Sequence, residues 1–317
     1  MSLPIVALTR DIFPDQIDAL AAQCQLRQSS GDQAYSQDEL IALLRGADGV
    51  ICTLRETINA QVLDACPTIK VVSNIAVGYN NIDVAACKAR GVVVTNTPDV
   101  LTQTTADFAW ALLMAAARRI PQAERFLREG RWQHWRLDQM AGKDVHGASL
   151  GIVGMGRIGA AVAARAMGFG MNVLYHNRTP SLDAGAAQYV PELDGLLARA
   201  DFVVLVVPYN ASTHHLMNAE KLARMKPDAV LVNIARGGVV DDAALIAALK
   251  AGHLHSAALD VFENEPALNQ DFLSLPNVVL SPHIASSSVA TRRAMAQLAI
   301  NNCLSVLVGK AARNPVG

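Results

Sequence analysis

Charge is scarce in this chain: 17% of residues are Asp, Glu, Lys or Arg, and the formal net charge is −1. A nucleic-acid partner or an anionic membrane surface calls for a basic excess, so neither is expected. Aromatic residues are few as well, at 5%, against 51% hydrophobic residues overall. That mixture excludes wholesale disorder and suits buried parallel strands covered by Ala-rich helices. The five cysteines (Cys24, Cys52, Cys66, Cys87 and Cys303) are scattered and include no CxxC pair. Neither a disulfide framework nor a zinc site is expected from that spacing, and a reducing, cytoplasmic setting is the simple reading. No apolar run approaches the ~20 residues that a membrane-spanning helix requires. The apolar stretch before Arg10 is too short for a signal peptide.

What the chain has in abundance is alternation. Its 317 residues suit two cores. Residues 4–8, 49–52, 71–74 and 92–94 read as strands, with helical patterns at 15–22, 38–44 and 83–90. Ser36 followed by Glu39 is a capping-box start for the second helix. Residues 100–119 form a long helical pattern that Pro121 is expected to end, before another helix reaching about residue 129. A second series follows, with strands at 150–153, 172–175, 202–206, 229–233, 256–260 and 278–280 and a last helix over 287–308. Such alternation predicts an α/β chain of two doubly wound parallel-sheet domains.

The turn after residue 153 carries a Gly-x-Gly-x-x-Gly pattern, Gly154-Met155-Gly156-Arg157-Ile158-Gly159, between a strand and a helix. Gly154 allows a tight turn, Gly156 lets the backbone approach a pyrophosphate, and Gly159 lets the helix pack close to the sheet. A glycine-rich turn of another α/β protein is the competing reading of the triplet alone. The strand, helix and second strand around it favour a Rossmann dinucleotide-binding domain. At the end of that second strand, Asn177 stands where an acid would hold the adenosine ribose of NAD. With Arg178 and Thr179 following, a 2′-phosphate is accommodated, so NADPH is expected in preference to NAD.

Three further polar residues lie at or beyond strand ends in this second half, the edge at which open α/β sheets bind ligands. Arg236 lies in Asn233-Ile234-Ala235-Arg236-Gly237-Gly238, Glu265 in Asp260-Val261-Phe262-Glu263-Asn264-Glu265-Pro266, and His283 in Ser281-Pro282-His283-Ile284. Singly they read as a turn cap, a solvated acid and a structural histidine. Together they supply an anion clamp, a proton donor and a carboxylate that favours the protonated imidazole.

These segments, with Val77-Gly78-Tyr79-Asn80-Asn81-Ile82-Asp83, resemble the D-2-hydroxyacid dehydrogenase family over nearly the whole chain. Within it, they look like the glyoxylate/hydroxypyruvate (2-ketogluconate) reductase branch. The resemblance implies that Arg236 binds the carboxylate and carbonyl of a small 2-oxo acid. It makes His283 the acid/base and Glu265 its partner. It places the backbone N–H groups of Val77 and Gly78 on the substrate carboxylate, with Leu54 and Arg55 nearby. Thr105, Pro208, Thr213, Ile234, Ala235 and Asp260 are expected along the cofactor; Asp260 equally reads as a buried structural acid and Thr105 as a plain helix residue. Residues 1–99 with 285–317 would form a flavodoxin-like substrate domain, residues 100–284 the cofactor domain, and an arm at about 100–146 a homodimer contact. Some hydroxypyruvate reductases bring a partner tryptophan to the substrate just after the position of Trp135. This chain has Asp138-Gln139-Met140 there, a departure that bears on pocket size. Two alternatives share the fold: formate dehydrogenase, which carries glutamine where this chain has Glu265, and a co-repressor-like module that binds peptides with its cofactor.

Overall fold

The computed structural model describes residues 3–28 and 34–317. The chain begins with β1 (Ile5–Leu8), α1 (Pro14–Ala21), β2 (Gln25–Gln28), α2 (Gln37–Leu44) and β3 (Gly49–Cys52). It continues through α3 (Ala60–Ala65), β4 (Val71–Asn74), α4 (Val84–Ala89) and β5 (Val93–Thr95). Two helices follow, α5 (Thr102–Ala117) and α6 (Ile120–Arg128), and then β6 (Ser149–Val153), α7 (Arg157–Ala166), β7 (Asn172–His176) and β8 (Gln188–Tyr189). Next come α8 (Leu193–Leu197), β9 (Phe202–Leu205), α9 (Ala219–Arg224), β10 (Val230–Asn233), α10 (Asp242–Lys250), β11 (Ser256–Leu259) and β12 (Val278–Leu280). The long α11 (Val289–Leu307) and the short β13 (Pro315–Val316) close it.

Two compact units result, Met1–Leu101 with Ser287–Gly317, and Thr102–Ser286. The first holds a sheet of order β13-β5-β4-β3-β1-β2. Five of its strands are parallel in a flavodoxin-like order, and β13 adds an antiparallel edge on β5. The capping box of α2 is present, with Ser36 Oγ accepting from Glu39 N–H and Glu39 Oε2 from Ser36 N–H. α11 approaches β3 closely because Gly49 has no side chain: a Cβ there would meet Cys303 Sγ at 2.8 Å.

The second unit has a seven-stranded parallel sheet of order β12-β11-β10-β9-β6-β7-β8, with its switch point between β6 and β9. Its central strands are buried on both faces and alternate strictly between two cores. Val203, Leu205, Leu231 and Leu259 pack into one, and Phe202, Val204, Val230 and Val232 into the other. α5 closes the second core, its Trp110 stacked on Phe169 at 4.6 Å and donating Nε1–H to Val162 O. Pro121 does not end this helix as expected. The break comes earlier, at left-handed Arg119 (φ 53°), and Pro121 opens α6, where its missing N–H costs nothing. The short β2, α3, β8 and β13 were not predicted.

In the first unit, one buried ion pair fixes the loop after β3. Glu56 and Arg10 are 2% and 6% exposed. The Glu56 carboxylate accepts from Arg10 Nε–H at 2.8 Å, Thr9 Oγ1–H at 2.8 Å and Thr53 N–H at 2.9 Å. Removing one partner of a buried pair leaves an uncompensated charge. Glu56→Ala is therefore expected to destabilise this unit by about 3–5 kcal/mol, read as a lowered urea midpoint for its unfolding transition, with Glu56→Gln milder.

Candidate active site

Parallel pairing sets the strand ends of the second unit level. Val153 lies opposite Leu205, Leu205 opposite Asn233, Asn233 opposite Leu259, and Leu259 opposite Leu280. Every segment that leaves these strands therefore starts from one edge, and that edge carries the glycine turn, Arg236, Glu265 and His283.

At the glycine turn, Gly154 is left-handed in φ (107°), and a Cβ on Gly159 would lie 2.2 Å from Gly154 O. Gly156 differs: nothing lies within 4 Å of where its Cβ would point. The turn is thus closed on the sheet side and open on the other, ahead of the N-terminus of α7 headed by Arg157 and Ile158, which suits a pyrophosphate. These residues fit a dinucleotide. Asn177 follows β7 directly, but its side chain turns back. Its Oδ1 accepts from Met155 N–H at 2.7 Å, so the amide braces the glycine turn. Arg178 and Thr179 are exposed beside it. Beyond β9, the Thr213 hydroxyl donates to Pro208 O at 2.7 Å and accepts from Asn210 N–H, closing that loop on itself.

Arg236 is presented by a turn that buried Asn233 holds from within. Asn233 Oδ1 accepts from Ala235 N–H at 3.0 Å, and its Nδ2 donates to Arg236 O at 3.0 Å. Ile234 and Ala235 are buried beneath it. Burial pulls the half-buried Arg236 guanidinium below its ordinary value, opposed by the Glu265 charge, and an arginine stays cationic regardless. Gly237 is obligatory here: a Cβ would fall 1.9 Å from the Phe262 carbonyl carbon and oxygen.

Glu265 Oε2 and His283 Nδ1 are 2.7 Å apart, and Glu265 Oε1 accepts from Phe262 N–H at 2.8 Å. Burial works to raise the Glu265 carboxyl, but the His283 hydrogen bond, the Phe262 N–H and the Arg236 charge outweigh it and hold the group below its ordinary value. His283 adopts a left-handed backbone (φ 54°). Asp260 imposes it, with Oδ1 accepting from Ile284 N–H and Ser281 Oγ–H and Oδ2 from Ala285 N–H, all within 2.8 Å. Asp260 is fully buried. Of the two readings of Asp260, the hydrogen bonds favour the buried structural acid: its oxygens are occupied in shaping the His283 loop. Thr105 is likewise buried, inside α5.

The first unit carries the other expected set. Asn74 Nδ2 donates to Gly78 O at 2.9 Å and Asn96 Nδ2 to Val77 O at 2.8 Å. With their carbonyls held inward, the N–H groups of Val77 and Gly78 have no acceptor among the described residues. Leu54 is half-buried and Arg55 exposed, above the Glu56 pair.

Sequence reasoning missed a second histidine–carboxylate pair. His215 Nε2 lies 2.7 Å from Glu263 Oε1, and Glu263 N–H donates to Asp242 Oδ2 at 3.2 Å. The signal was present, since Glu263 is two residues from Glu265, but its partner is 48 residues away. Burial and the neighbouring Glu263 and Asp241 charges push the Asp242 carboxyl up to about 6, partly offset by the Glu263 N–H and by His215.

A raised acid binds its proton more tightly in the folded state than in the unfolded one. Stability from Asp242 is therefore complete below about pH 4 and lost as pH rises through about 6, the value to which the folded state moves it. Asp242→Asn, which keeps the acceptor for Glu263 N–H, removes that penalty. The variant is expected to match the parent near pH 4 and to exceed it at pH 7, by at most about 3 kcal/mol. Thermal unfolding across that range checks it; an advantage that shrank with rising pH would contradict the assignment.

Comparison with known proteins finds relatives over nearly the whole chain. Residues 110–285 match the family described as D-isomer specific 2-hydroxyacid dehydrogenase, NAD binding domain. The chain is 46% identical to a glyoxylate reductase of Thermococcus onnurineus over 314 residues, 97% of this chain and 94% of that protein. It is also 46% identical to one from Korarchaeum cryptofilum, over 99% and 96% of the two chains. Among solved structures, an NADPH-dependent glyoxylate/hydroxypyruvate reductase from Sinorhizobium meliloti, in complex with NADP and malonate, superimposes with a TM-score of 0.88 at 38% identity, covering 100% of this chain and 97% of that one. A protein from Thermus thermophilus does so at 0.93 and 41% identity, covering 99% and 100%. The chain therefore belongs to the D-isomer specific 2-hydroxyacid dehydrogenase family.

Proposed function

We propose that this protein reduces small 2-oxo acids (glyoxylate and hydroxypyruvate, with 2-ketogluconate a further candidate) to D-2-hydroxy acids, using NADPH in preference to NADH. The observation that carries this reading is the 2.7 Å His283–Glu265 pair at the same sheet edge as Arg236. A reduced nicotinamide dinucleotide, when bound, supplies the hydride. Arg236 holds the substrate's carboxylate and polarises its keto oxygen. His283, with Nδ1 committed to Glu265, donates a proton from Nε2 to the alkoxide that forms. Glu265 stays ionised and orients the ring. The N–H groups of Val77 and Gly78 offer a carboxylate two neutral donors. A formate dehydrogenase needs no proton shuttle, so the Glu265–His283 pair favours the 2-oxo acid reading. The preference for NADPH rests on a neutral amide at Asn177 and the exposed Arg178 fork beside Thr179. The glyoxylate reductase names of the relatives support the substrate class.

The test is the initial rate of NADPH oxidation with each acid, repeated with NADH. His283→Ala is expected to lower kcat/KM by about 10²–10⁴-fold, the usual worth of a positioned acid, and Arg236→Ala, which removes the charge held on the carboxylate and keto oxygen, by about 10²–10³-fold, while both variants stay folded. Arg178→Ala is expected to lower kcat/KM for NADPH by about 10-fold or more, one charge-assisted phosphate contact, and to leave NADH almost untouched. Full activity in the His283 variant would sink the reading.

The protein is also proposed to act as a homodimer. α6 buries none of its residues, and Ile120, Leu127, Trp132, Trp135 and Leu137 are all more than half exposed, an apolar concentration that an isolated soluble chain does not favour. Light scattering after gel filtration is expected to give twice the chain mass, and Trp135→Asp with Leu137→Asp to shift it toward one; a monomeric parent protein would refute this.

A further inference from the structure

Three segments meet at the Glu263 side chain. Its Oε1 lies 2.7 Å from His215 Nε2, its Oε2 accepts weakly from Asp242 N–H at 3.4 Å, and its own N–H donates to Asp242 Oδ2. His215 is in turn sewn to the Arg236 turn. Its N–H donates to Gly238 O at 2.8 Å, Met217 N–H donates to Val239 O, and Asp241 N–H returns to Met217 O. On the other side, the Phe262–Glu263 peptide lies flat against Gly237, and Phe262 N–H holds Glu265. The carboxylate that meets His215 and the carboxylate that meets His283 are thus two residues apart on one short segment.

We propose that Glu263 is a positioning residue. Its carboxylate, bonded to His215 and to the start of α10, locks the turn bearing Arg236 against the turn bearing Glu265, and so sets where the guanidinium stands relative to the His283–Glu265 pair. The inference rests on the reading of Arg236 as the substrate anchor. Its physical basis is that Arg236 and Glu265 lie on separate turns. Their spacing is set by the Gly237–Phe262 contact and by the bridge that Glu263 makes around it. The Glu263 hydrogen bond also raises the His215 imidazole above its ordinary value, which favours an ionic bridge.

The experiment uses the full-length protein with NADPH and compares Glu263→Ala, Glu263→Gln and the parent. Glu263→Ala is expected to raise KM for glyoxylate by about 10-fold or more, as small misplacements of a substrate anchor do. Its kcat should fall less, and its NADPH affinity should stay within about two-fold of the parent. Glu263→Gln, which keeps the acceptor for Asp242 N–H, should recover part of the loss. Binding of oxalate, a planar two-carbon anion, should weaken in parallel, and in an Arg236→Ala background the Glu263 substitution should add nothing further. A second readout needs no turnover: the low-field proton resonance of His283 Nδ1–H should shift or broaden in Glu263→Ala. An unchanged KM, oxalate affinity and resonance in folded Glu263→Ala would overturn the proposal, as would a full additional loss in the Arg236→Ala background. If the parent protein reduced no 2-oxo acid, the reaction assignment would fail, and the resonance would still decide the role of Glu263.

Discussion

The constraint on which the rest depends is the register of the seven-stranded sheet in the second unit. Parallel pairing that places Asn233, Leu259 and Leu280 side by side brings three loops to the same height. A slip of one residue along β10 would exchange Leu231 for Val230 between the two cores and turn buried Asn233 away from the Arg236 turn. Two-sided burial forbids that slip, because each face is already filled. The chemistry at the edge is therefore held by the apolar strands, and the loops need only short polar clamps to finish the placement.

Those clamps share a design. A buried side chain at or next to a strand end spends its hydrogen bonds on the backbone of the loop that follows: Asn233 on the Arg236 turn, Asp260 on the His283 loop, and in the first unit Asn74 on the loop of Gly78. Leaving such groups unpaired in a buried place is costly, so each clamp defines one loop conformation. The left-handed backbone of His283 is one outcome, and its N–H is held there by the carbonyls of Asp260 and Ser281. Glycine plays the complementary part where backbones touch: at Gly237 against Phe262 and at Gly159 against Gly154, a single methyl group would break the contact.

Much of this was legible in the amino-acid order. Strands with continuous apolar runs, the glycine turn and the three polar residues beyond strand ends all declare themselves within a dozen residues. What was not legible is short or distant. β8 and β13 are two residues each and have no period to detect. Pro121 was read as a stop because a proline disfavours a preceding helical residue, yet a proline also starts helices, and the left-handed Arg119 two positions earlier made the break. Asn177 was placed correctly at the end of β7. That its amide would turn back to Met155 depends on a pairing 22 residues away, which spacing does not reveal. His215 lay unremarked for the same reason, and so did the Glu56–Arg10 pair, 46 residues apart.

The two histidine–carboxylate pairs have the same 2.7 Å separation, so distance alone does not separate the proton donor proposed above from the proposed brace. The nitrogen each pair uses does. His283 commits Nδ1, the ring atom nearer its own backbone, to Glu265, and leaves Nε2 at the far end of the ring, the atom from which we propose that the proton is given. His215 commits the distal Nε2 to Glu263, and its remaining nitrogen lies beside its own backbone and the stacked ring of His214. A carboxylate on the proximal nitrogen orients an imidazole outward, whereas one on the distal nitrogen ends its reach. On the reading proposed above, one pair delivers a proton and the other braces, and a single segment, Phe262 to Glu265, carries both carboxylates. Any change that moves that segment acts on the His283–Glu265 pair and on the Arg236 turn at once.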